Sequence, residues 1–268
     1  MVLFKDEIIL MAKLSNFSYL SKEEITKIYN NRPYEKEYNF LNEVLIEPEF
    51  FSTSLDCQYI LVYFKDYLVV SYRGTSSKAD IFTDLKFFRT RMVLENYIDF
   101  RNKPYVHSGF FNQFNSSRPE LDLKLKEYVR NYKFNSIIFT GHSLGGALAT
   151  LGALDYSYRF WDYPISCITY GSPRVGCHTF AKIFNKKIKN SLRFVNDNDP
   201  VPCIPTAWNY KHVNGCRWLN QDKIESEIQV YRGWRFLKNS FLNIFGYGYD
   251  AIGDHSCSEY VKDLEIIL

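Results

Sequence analysis

Two different spacings of hydrophobic residues organise this chain. Residues 59–72, YILVYFKDYLVVSY, are two short β-branched and aromatic runs around Lys65-Asp66, which predicts a β-hairpin. From residue 119 onward, strand-like runs alternate with segments of helical period. They are the strands NSIIFT, ISCITYGS and SLRFVND and the helices LGGALATLGALDYSYRF and HTFAKIFNKKI. This alternation predicts parallel βαβ units, and the hairpin adds antiparallel strands. We therefore expect a mixed, mostly parallel central sheet with helices on both faces.

Several further helices are predicted from their first turns. Ser21 and Glu24 have the spacing of a capping box, in which each side chain bonds the other residue's backbone N–H. Ser117 and Glu120 repeat that spacing, with Pro119 in the expected first turn. One apolar face follows the second box, formed by Leu121, Leu125, Tyr128 and Val129. The first twenty residues are predicted to form an amphipathic helix of the folded protein.

Length and composition favour one soluble domain over residues 1–268. A chain of this length buries enough surface to need neither a disulfide nor a metal to hold its core. The net charge is +3 with acidic and basic residues interspersed, so no nucleic-acid partner is indicated. No apolar run is long enough to span a bilayer. Histidines and cysteines show no metal-ligand spacing, so neither metal nor cofactor is expected.

The N-terminal segment also bears on the expected location. Lys5, Asp6 and Glu7 interrupt its apolar run, and no small-residue cleavage site follows. We therefore expect an intracellular protein, peripheral at membranes if it contacts them. The six cysteines are scattered without a CxxC pair, and they are predicted to be reduced apolar residues.

One short motif carries a clear chemical implication. Gly141-His142-Ser143-Leu144-Gly145 fits G-x-S-x-G, between a predicted strand and a predicted helix. In a nucleophile elbow, such a serine sits on a tight turn with its hydroxyl exposed, and the glycines let strand and helix approach. The structural alternative is a glycine-rich turn whose serine caps the helix. Ser143 is therefore the candidate nucleophile.

A serine hydroxyl needs a base to take its proton and an acid to orient that base. In folds with this elbow the chain order is serine, acid, histidine. Asp197 and Asp199 both follow the predicted strand SLRFVND, and Asp199 precedes a proline that favours an extended backbone. Asp197 is better explained as a turn-forming or capping residue than as the catalytic acid. Two histidines, His212 and His255, follow as candidates for the base. Spacing alone favours His255, which precedes a final helix, over His212 without excluding His212.

Six blocks in this order resemble the class 3 lipases, the fungal triacylglycerol lipase-like family. They are VVSYRGT, PYVHSGFFNQF, FTGHSLGGALA, YGSPRVG, FVNDNDPVP and DHSCSEYV. The resemblance runs from about residue 55 to the C-terminus. It implies an α/β-hydrolase fold and a catalytic triad of Ser143, Asp199 and His255. It also implies that His212 is not catalytic.

The oxyanion formed on attack needs two preorganised donors. Leu144 is expected to give its backbone N–H, being next to the nucleophile. Thr75 in YRGT is expected to be the second donor, which is the role of this position in the resembled family. The alternative for Thr75 is a plain turn residue.

Two segments are candidates for contact with lipid. Residues 76–95 are the expected lid, with Ile81, Phe82 and Leu85 at helical spacing on its apolar face. The same spacing describes any surface helix packed on the core. Residues 231–249 mix basic and aromatic side chains as interfacial helices do, although an insertion packed on its own core fits equally well.

The sequence thus predicts a serine hydrolase that cleaves carboxylic esters of lipids through an acyl-enzyme on Ser143. Triacylglycerol, diacylglycerol, monoacylglycerol and phospholipid all remain open as substrates. The expected partners are a lipid or other ester and, transiently, a membrane or lipid-droplet surface. Two alternatives on the same fold are an acyltransferase and a lipid-binding module with an idle triad.

Overall fold

The structure is a computed structural model that describes most of the chain. The described residues are 4–31, 33–75, 88–97, 103–160, 162–196, 199–220, 223–226 and 253–268. Among them, no helix combines the length and apolar character needed to cross a bilayer. The predicted single domain over residues 1–268 stays a prediction, because several segments lie outside these ranges.

An eight-stranded sheet forms the centre of the molecule, in the order β1-β2-β3-β6-β7-β8-β9-β10. Its strands are β1 Glu49–Ser52, β2 Gln58–Phe64, β3 Tyr67–Tyr72, β6 Ser136–His142, β7 Ile165–Tyr170, β8 Asn190–Asn196, β9 Cys216–Asn220 and β10 Lys223–Ser226. The strands from β3 to β9 pair in parallel, and the pairs at both ends of the sheet are antiparallel. Two short strands, β4 Arg89–Arg91 and β5 Tyr105–His107, form a separate antiparallel pair.

Helices cover both faces of the sheet, which confirms the predicted architecture. They are α1 Lys5–Phe17, α2 Lys22–Asn30, α3 Ser108–Asn131, α4 Leu144–Arg159, α5 His178–Lys187 and α6 Cys257–Ile267. Two 3₁₀ segments, Lys36–Glu43 and Val201–Cys203, are also present. Apolar residues of α3, α4 and α5 form one core, and those of α1, α2 and α6 form a second.

The hairpin strand β2 divides its side chains between these two cores. Tyr59, Leu61 and Tyr63 pack toward α3, α4 and α5. Ile60 and Phe64 pack, with Val62 between them, toward α1, α2 and α6. Successive side chains of a strand point to opposite faces, and both faces are covered here. That burial explains why the segment has a nearly continuous apolar run rather than a polar alternation.

The two capping boxes have different outcomes. The Ser21 box is present, since its hydroxyl accepts from the Glu24 N–H and the Glu24 carboxylate accepts from the Ser21 N–H. The Ser117 box is wrong, because α3 begins at Ser108 and Ser117 lies inside it. The Ser117 hydroxyl donates back to the Phe114 carbonyl, as serines within helices do. Burial of the apolar face on both sides of Pro119 continues the helix through that residue.

Candidate active site

The carboxyl ends of the parallel strands bring the candidate residues to one edge of the sheet. Strand β6 ends at His142, Ser143 follows, and α4 begins at Leu144. Asp199 comes after the end of β8, and His255 lies just before α6. Carboxyl ends of neighbouring parallel strands meet at the same edge, which is the usual location of ligands in open α/β sheets. The topology therefore places residues that are more than fifty positions apart in one cluster.

Ser143 occupies a strained turn between strand and helix. Its φ is 57° and its ψ is −127°, a backbone conformation that residues other than glycine rarely adopt. Its N–H donates to the Tyr170 carbonyl at 2.9 Å, which ties the turn to the neighbouring strand β7. Its hydroxyl does not cap α4. The capping alternative is therefore excluded for this side chain.

Two glycines allow the strand and the helix to approach each other. A Cβ on Gly141 would lie 2.5 Å from the Gly145 carbonyl oxygen. A Cβ on Gly145 would lie 2.1 Å from the Tyr72 carbonyl oxygen at the end of β3. Both neighbours are backbone atoms that cannot rotate away, so any larger residue would displace the elbow.

Three side chains form a continuous hydrogen-bonded set. His255 Nε2 lies 2.8 Å from Ser143 Oγ, and His255 Nδ1 lies 2.8 Å and 2.9 Å from the two carboxylate oxygens of Asp199. A carboxylate only accepts, so Nδ1 carries the proton and Nε2 is free to accept the serine hydroxyl. All three residues are buried. This is the geometry of a Ser–His–Asp triad.

Asp199 is held by two further donors. The Val201 N–H donates to its Oδ1 at 2.9 Å, and the Tyr260 hydroxyl donates to its Oδ2 at 2.6 Å. The Tyr260 oxygen in turn accepts the Asn196 N–H at 2.8 Å. Burial and the nearby Asp199 carboxylate raise the pKa of Tyr260 well above its usual value, so it stays a donor. These bonds fix the carboxylate beneath the imidazole.

His142 contacts His255 both at its main chain and at its ring, the two ring centroids being 4.6 Å apart. Its Nε2 lies 2.7 Å from the His255 carbonyl oxygen, which can only accept, so Nε2 carries the proton. Its Nδ1 then accepts the Tyr19 hydroxyl at 2.8 Å. Burial, with the adjacent His255 second, lowers the pKa of His142 well below its usual value. This neutral histidine therefore links the segment after α1 to the loop that carries His255.

A cavity of about 580 Å³ opens beside Ser143. Leu144 and Thr75, the two expected oxyanion donors, line it together with the nucleophile. As the first residue of α4, Leu144 has a backbone N–H with no intrahelical acceptor. Phe110, Val201 and other apolar side chains cover part of the wall. The remainder is polar and includes Arg73, Asp56, Gln58, Asn112 and Gln113.

Other sequence candidates have different positions. His212 is not in the triad; its Nε2 donates to the Pro202 carbonyl at 2.7 Å. Burial and, to a smaller extent, Arg193 and Arg174 lower its pKa well below the usual value. Asp197 and the segment 231–249 lie outside the described residues. The expected lid, residues 76–95, is described only from residue 88 onward, so Ile81, Phe82 and Leu85 also lie outside them.

Metal ligation has no candidate group within the described ranges. They contain no cluster of three or more histidine, cysteine, aspartate or glutamate side chains that could hold an ion. All six cysteines are described, and none forms a disulfide.

Sequence reasoning missed the supporting residues Tyr19, Asn196 and Tyr260. Tyr19 follows α1 and lies 123 positions from its partner His142. Tyr260 lies on α6, 61 positions from Asp199. No local motif links such distant residues. The one sequence feature that placed Tyr260 near the site is that it lies with His255 in the block DHSCSEYV.

The fold and the hydrogen-bonded Ser143, His255 and Asp199 are those of the α/β-hydrolase class with a serine at its elbow. The family model described as Lipase (class 3) matches residues 69–208, about half of the chain. This protein therefore belongs to the class 3 lipase family, as the resemblance predicted.

Named relatives and solved structures agree with this assignment. The secreted mono- and diacylglycerol lipase A of Penicillium cyclopium is 32% identical over 172 residues, covering 62% of this chain and 53% of the relative. The chloroplastic phospholipase A(1) DAD1 of Arabidopsis thaliana is 32% identical over 149 residues, covering 52% of this chain and 33% of the relative. The chain thus spans about half or less of the length of these curated relatives. The structure of Rhizomucor miehei triacylglyceride lipase matches with a TM-score of 0.67 at 21% identity, covering 94% of this chain and 96% of that one.

A second structural match is a triacylglycerol lipase described as having a serine protease triad as its catalytic centre. It has a TM-score of 0.70 at 23% identity and covers 86% of this chain and 89% of that one. At this level of identity, both structural matches establish the fold alone.

The comparisons contradict the expected intracellular location. Relatives from Penicillium cyclopium, Fusarium solani and Malassezia restricta are all named as secreted lipases. The expectation rested on charged residues in the N-terminal apolar run. Those residues belong to α1, whose Glu7 carboxylate accepts the Phe4 N–H in the first turn. They are explained by helix formation and carry no information about location.

Proposed function

We propose that this protein hydrolyses carboxylic ester bonds of glycerolipids through an acyl-enzyme on Ser143. The observation that carries the proposal is the unbroken contact from Ser143 Oγ through His255 to Asp199, beside a cavity. The Ser143 hydroxyl does not cap α4, so helix capping does not explain why a serine occupies this strained turn. Strain of this kind is typical of functional sites.

The first half of the reaction transfers the acyl group to the enzyme. Ser143 Oγ attacks the ester carbonyl carbon while His255 Nε2 takes the hydroxyl proton. The carbonyl oxygen becomes an oxyanion, for which the Leu144 N–H and the Thr75 N–H or hydroxyl are the proposed donors. Asp199 stabilises the imidazolium and keeps its tautomer. The carbon–oxygen bond to the alcohol then breaks, and His255 returns its proton to the departing alkoxide.

The second half releases the acid. Water attacks the acyl-enzyme carbonyl, with His255 Nε2 taking one of its protons. Collapse of the second oxyanion breaks the bond to Ser143 Oγ, which regains a proton from His255. The products are a carboxylic acid and an alcohol, and no cofactor takes part.

The substrate class rests on the relatives. Two of them are named as mono- and diacylglycerol lipases and one as a phospholipase A(1), so a glycerolipid ester is the shared chemistry. The mixed lining of the cavity supports this, because an acyl chain needs apolar wall and a glycerol or headgroup needs polar partners. The secreted relatives favour a substrate outside the cell. Contact with a lipid surface follows from the insolubility of such substrates.

The test is covalent labelling by an organophosphonate ester, read by intact mass. The wild type should gain one adduct, and Ser143→Ala should gain none while remaining folded. On a soluble ester, Ser143→Ala should lower kcat by about 10⁴-fold or more. Repeating the labelling with detergent present removes any dependence on an interface. A folded wild type that is never labelled would instead favour a lipid-binding module with an idle triad.

A matched pair of histidine variants tests the assignment of the base. His255→Ala should abolish turnover and leave the fold intact. His212→Ala should mainly lower stability, because it leaves the Pro202 carbonyl without its donor. Equal losses of kcat in both folded variants would contradict the assignment. Adding glycerol and analysing products separates hydrolysis from acyl transfer to an alcohol.

A further inference from the structure

The short strand pair β4–β5 presents one face to solvent. Arg91 pairs with Tyr105, and Thr90 pairs with Val106. Val106 is fully buried, whereas Arg89 and Arg91 are exposed. The two arginines therefore lie on the outward side of the pair, because alternate side chains of a strand point to opposite faces.

Large aromatic side chains are exposed around this strand pair. Trp208 is 93% exposed, Phe88 is 70% exposed and Tyr105 is 40% exposed. Trp208 and Tyr105 line a shallow depression of about 430 Å³ together with Arg89 and Lys103. Phe88 is joined to the same region, since its carbonyl accepts the Ser108 N–H just after β5. We call Phe88, Arg89, Arg91, Lys103, Tyr105 and Trp208 the basic aromatic face.

The charge of this face has one sign within the described residues. The depression is lined by the cations Arg89 and Lys103, and no aspartate or glutamate of the described chain lines it. None of the ion pairs formed among described residues includes Arg89, Arg91 or Lys103. By contrast, Arg159 elsewhere on the surface is paired with three carboxylates. Within the described part of the chain, the face is therefore cationic and complementary to an external anion.

The face adjoins the catalytic cavity. His107, two residues beyond Tyr105 on β5, lines that cavity, and so does Ile204, four residues before Trp208. A surface that covered the basic aromatic face would therefore lie next to the cavity. This position suits a surface that contains the substrate better than an unrelated partner.

We propose that the basic aromatic face docks the protein on anionic lipid surfaces. Tryptophan and tyrosine rings favour the headgroup level of a bilayer, where an apolar body and a polar edge are both satisfied. Lysine and arginine near an anionic surface each strengthen binding by roughly fivefold at low salt. Added salt weakens the cationic part by screening. Docking is a property of this surface and does not require a competent triad.

The experiment measures cosedimentation with vesicles in a Ser143→Ala background, so that no lipid is hydrolysed. Vesicles are made of phosphatidylcholine alone or with phosphatidylserine added. The double variant Arg89→Gln/Lys103→Gln should bind the anionic vesicles about 25-fold more weakly, at roughly fivefold per cation. Its binding to phosphatidylcholine should be unchanged. Trp208→Ala should weaken binding to both.

Control variants come from the exposed side of α3. Leu123 is 70% exposed there, and Lys126 is also exposed. Leu123→Ala and Lys126→Gln should bind as the parent does. Equal binding by the parent and the double variant would overturn the proposal, as would equal losses in the controls. A concentration-dependent dimer that Trp208→Ala abolishes, without any vesicle binding, would assign the face to a second copy of the chain instead.

Activity is measured separately with Ser143 restored. On a soluble short-chain ester, the double variant should keep the wild-type kcat, because neither residue lines the cavity. Normal turnover without vesicle binding would refute docking and leave the proposed hydrolase function standing. Vesicle binding without turnover would support docking and refute the proposed hydrolase function.

Discussion

Replacing His142 by phenylalanine tests whether this buried histidine positions the catalytic loop. The change keeps an aromatic ring and removes both of its hydrogen bonds. Those bonds join Nε2 to the His255 carbonyl at 2.7 Å and Nδ1 to the Tyr19 hydroxyl at 2.8 Å. The buried carbonyl and the part-buried hydroxyl would then lose these partners.

The size of the effect follows from the two lost bonds. The buried His255 carbonyl left without a partner costs about 1–3 kcal/mol, and loss of the part-buried Tyr19 bond costs about 0.5–1.5 kcal/mol. The free energy of unfolding should therefore fall by about 1.5–4.5 kcal/mol. Part of that cost is relieved if the His255 loop moves toward another donor. A displacement near 1 Å between reacting groups lowers the rate by about 100-fold. We therefore expect kcat to fall by about 10- to 100-fold, with KM nearly constant because His142 does not line the cavity.

Two further variants separate positioning from general stability. His142→Gln keeps an amide donor near the position of Nε2 and should recover much of the lost kcat. Tyr19→Phe removes the hydroxyl but leaves the Nε2–H donor, so it should lower stability with little change in kcat. The assays are kcat and KM on a soluble ester, together with urea unfolding. The reasoning is refuted if folded His142→Phe turns over at the wild-type rate, or if Tyr19→Phe loses as much kcat as His142→Phe.

Three other predictions follow from the same contacts. Tyr260→Phe removes a donor to the Asp199 carboxylate. Because a hydrogen bond to a charged group is worth about 1.5–3 kcal/mol, kcat should fall about tenfold or more. An unchanged kcat would contradict this role. Native pKa values of His142 and His212 lie well below the unfolded value, so protons bind preferentially to the unfolded chain below about pH 6.5. As the pH falls below about 6.5, the free energy of unfolding should therefore fall by about 1.4 kcal/mol per histidine for each pH unit. Urea unfolding at a series of pH values measures this, and a free energy that does not change with pH would contradict it. Gly145→Ala places a Cβ 2.1 Å from the Tyr72 carbonyl oxygen of β3 and should lower the urea midpoint sharply. A midpoint equal to that of the wild type would contradict this prediction.

The strands and helices that flank the elbow were predictable because their local patterns are strong. The segment before Ser143 is uniformly apolar and the segment after it is rich in small residues, so strand, turn and helix follow from short-range preferences. The beginning of α3 was not predictable in this way. Its N-cap is His107, whose ring nitrogen accepts the Phe110 N–H, and a histidine is not among the usual capping residues. The Ser117 box was a better local pattern in the wrong place.

The sequence by itself determined where many of the strands and helices lie along the chain and the elbow around Ser143. Through its ordered motifs it also determined the family. It did so because each of these is encoded in neighbouring residues. The resemblance already implied His255 rather than His212, and the structure shows the contact with Ser143. Only the tertiary structure placed Tyr260 beneath Asp199 and bonded Tyr19 to His142. It also gathered Arg89, Lys103 and Trp208 into one face. Contacts between residues far apart in the chain depend on how the sheet and helices pack, and no local pattern contains that information.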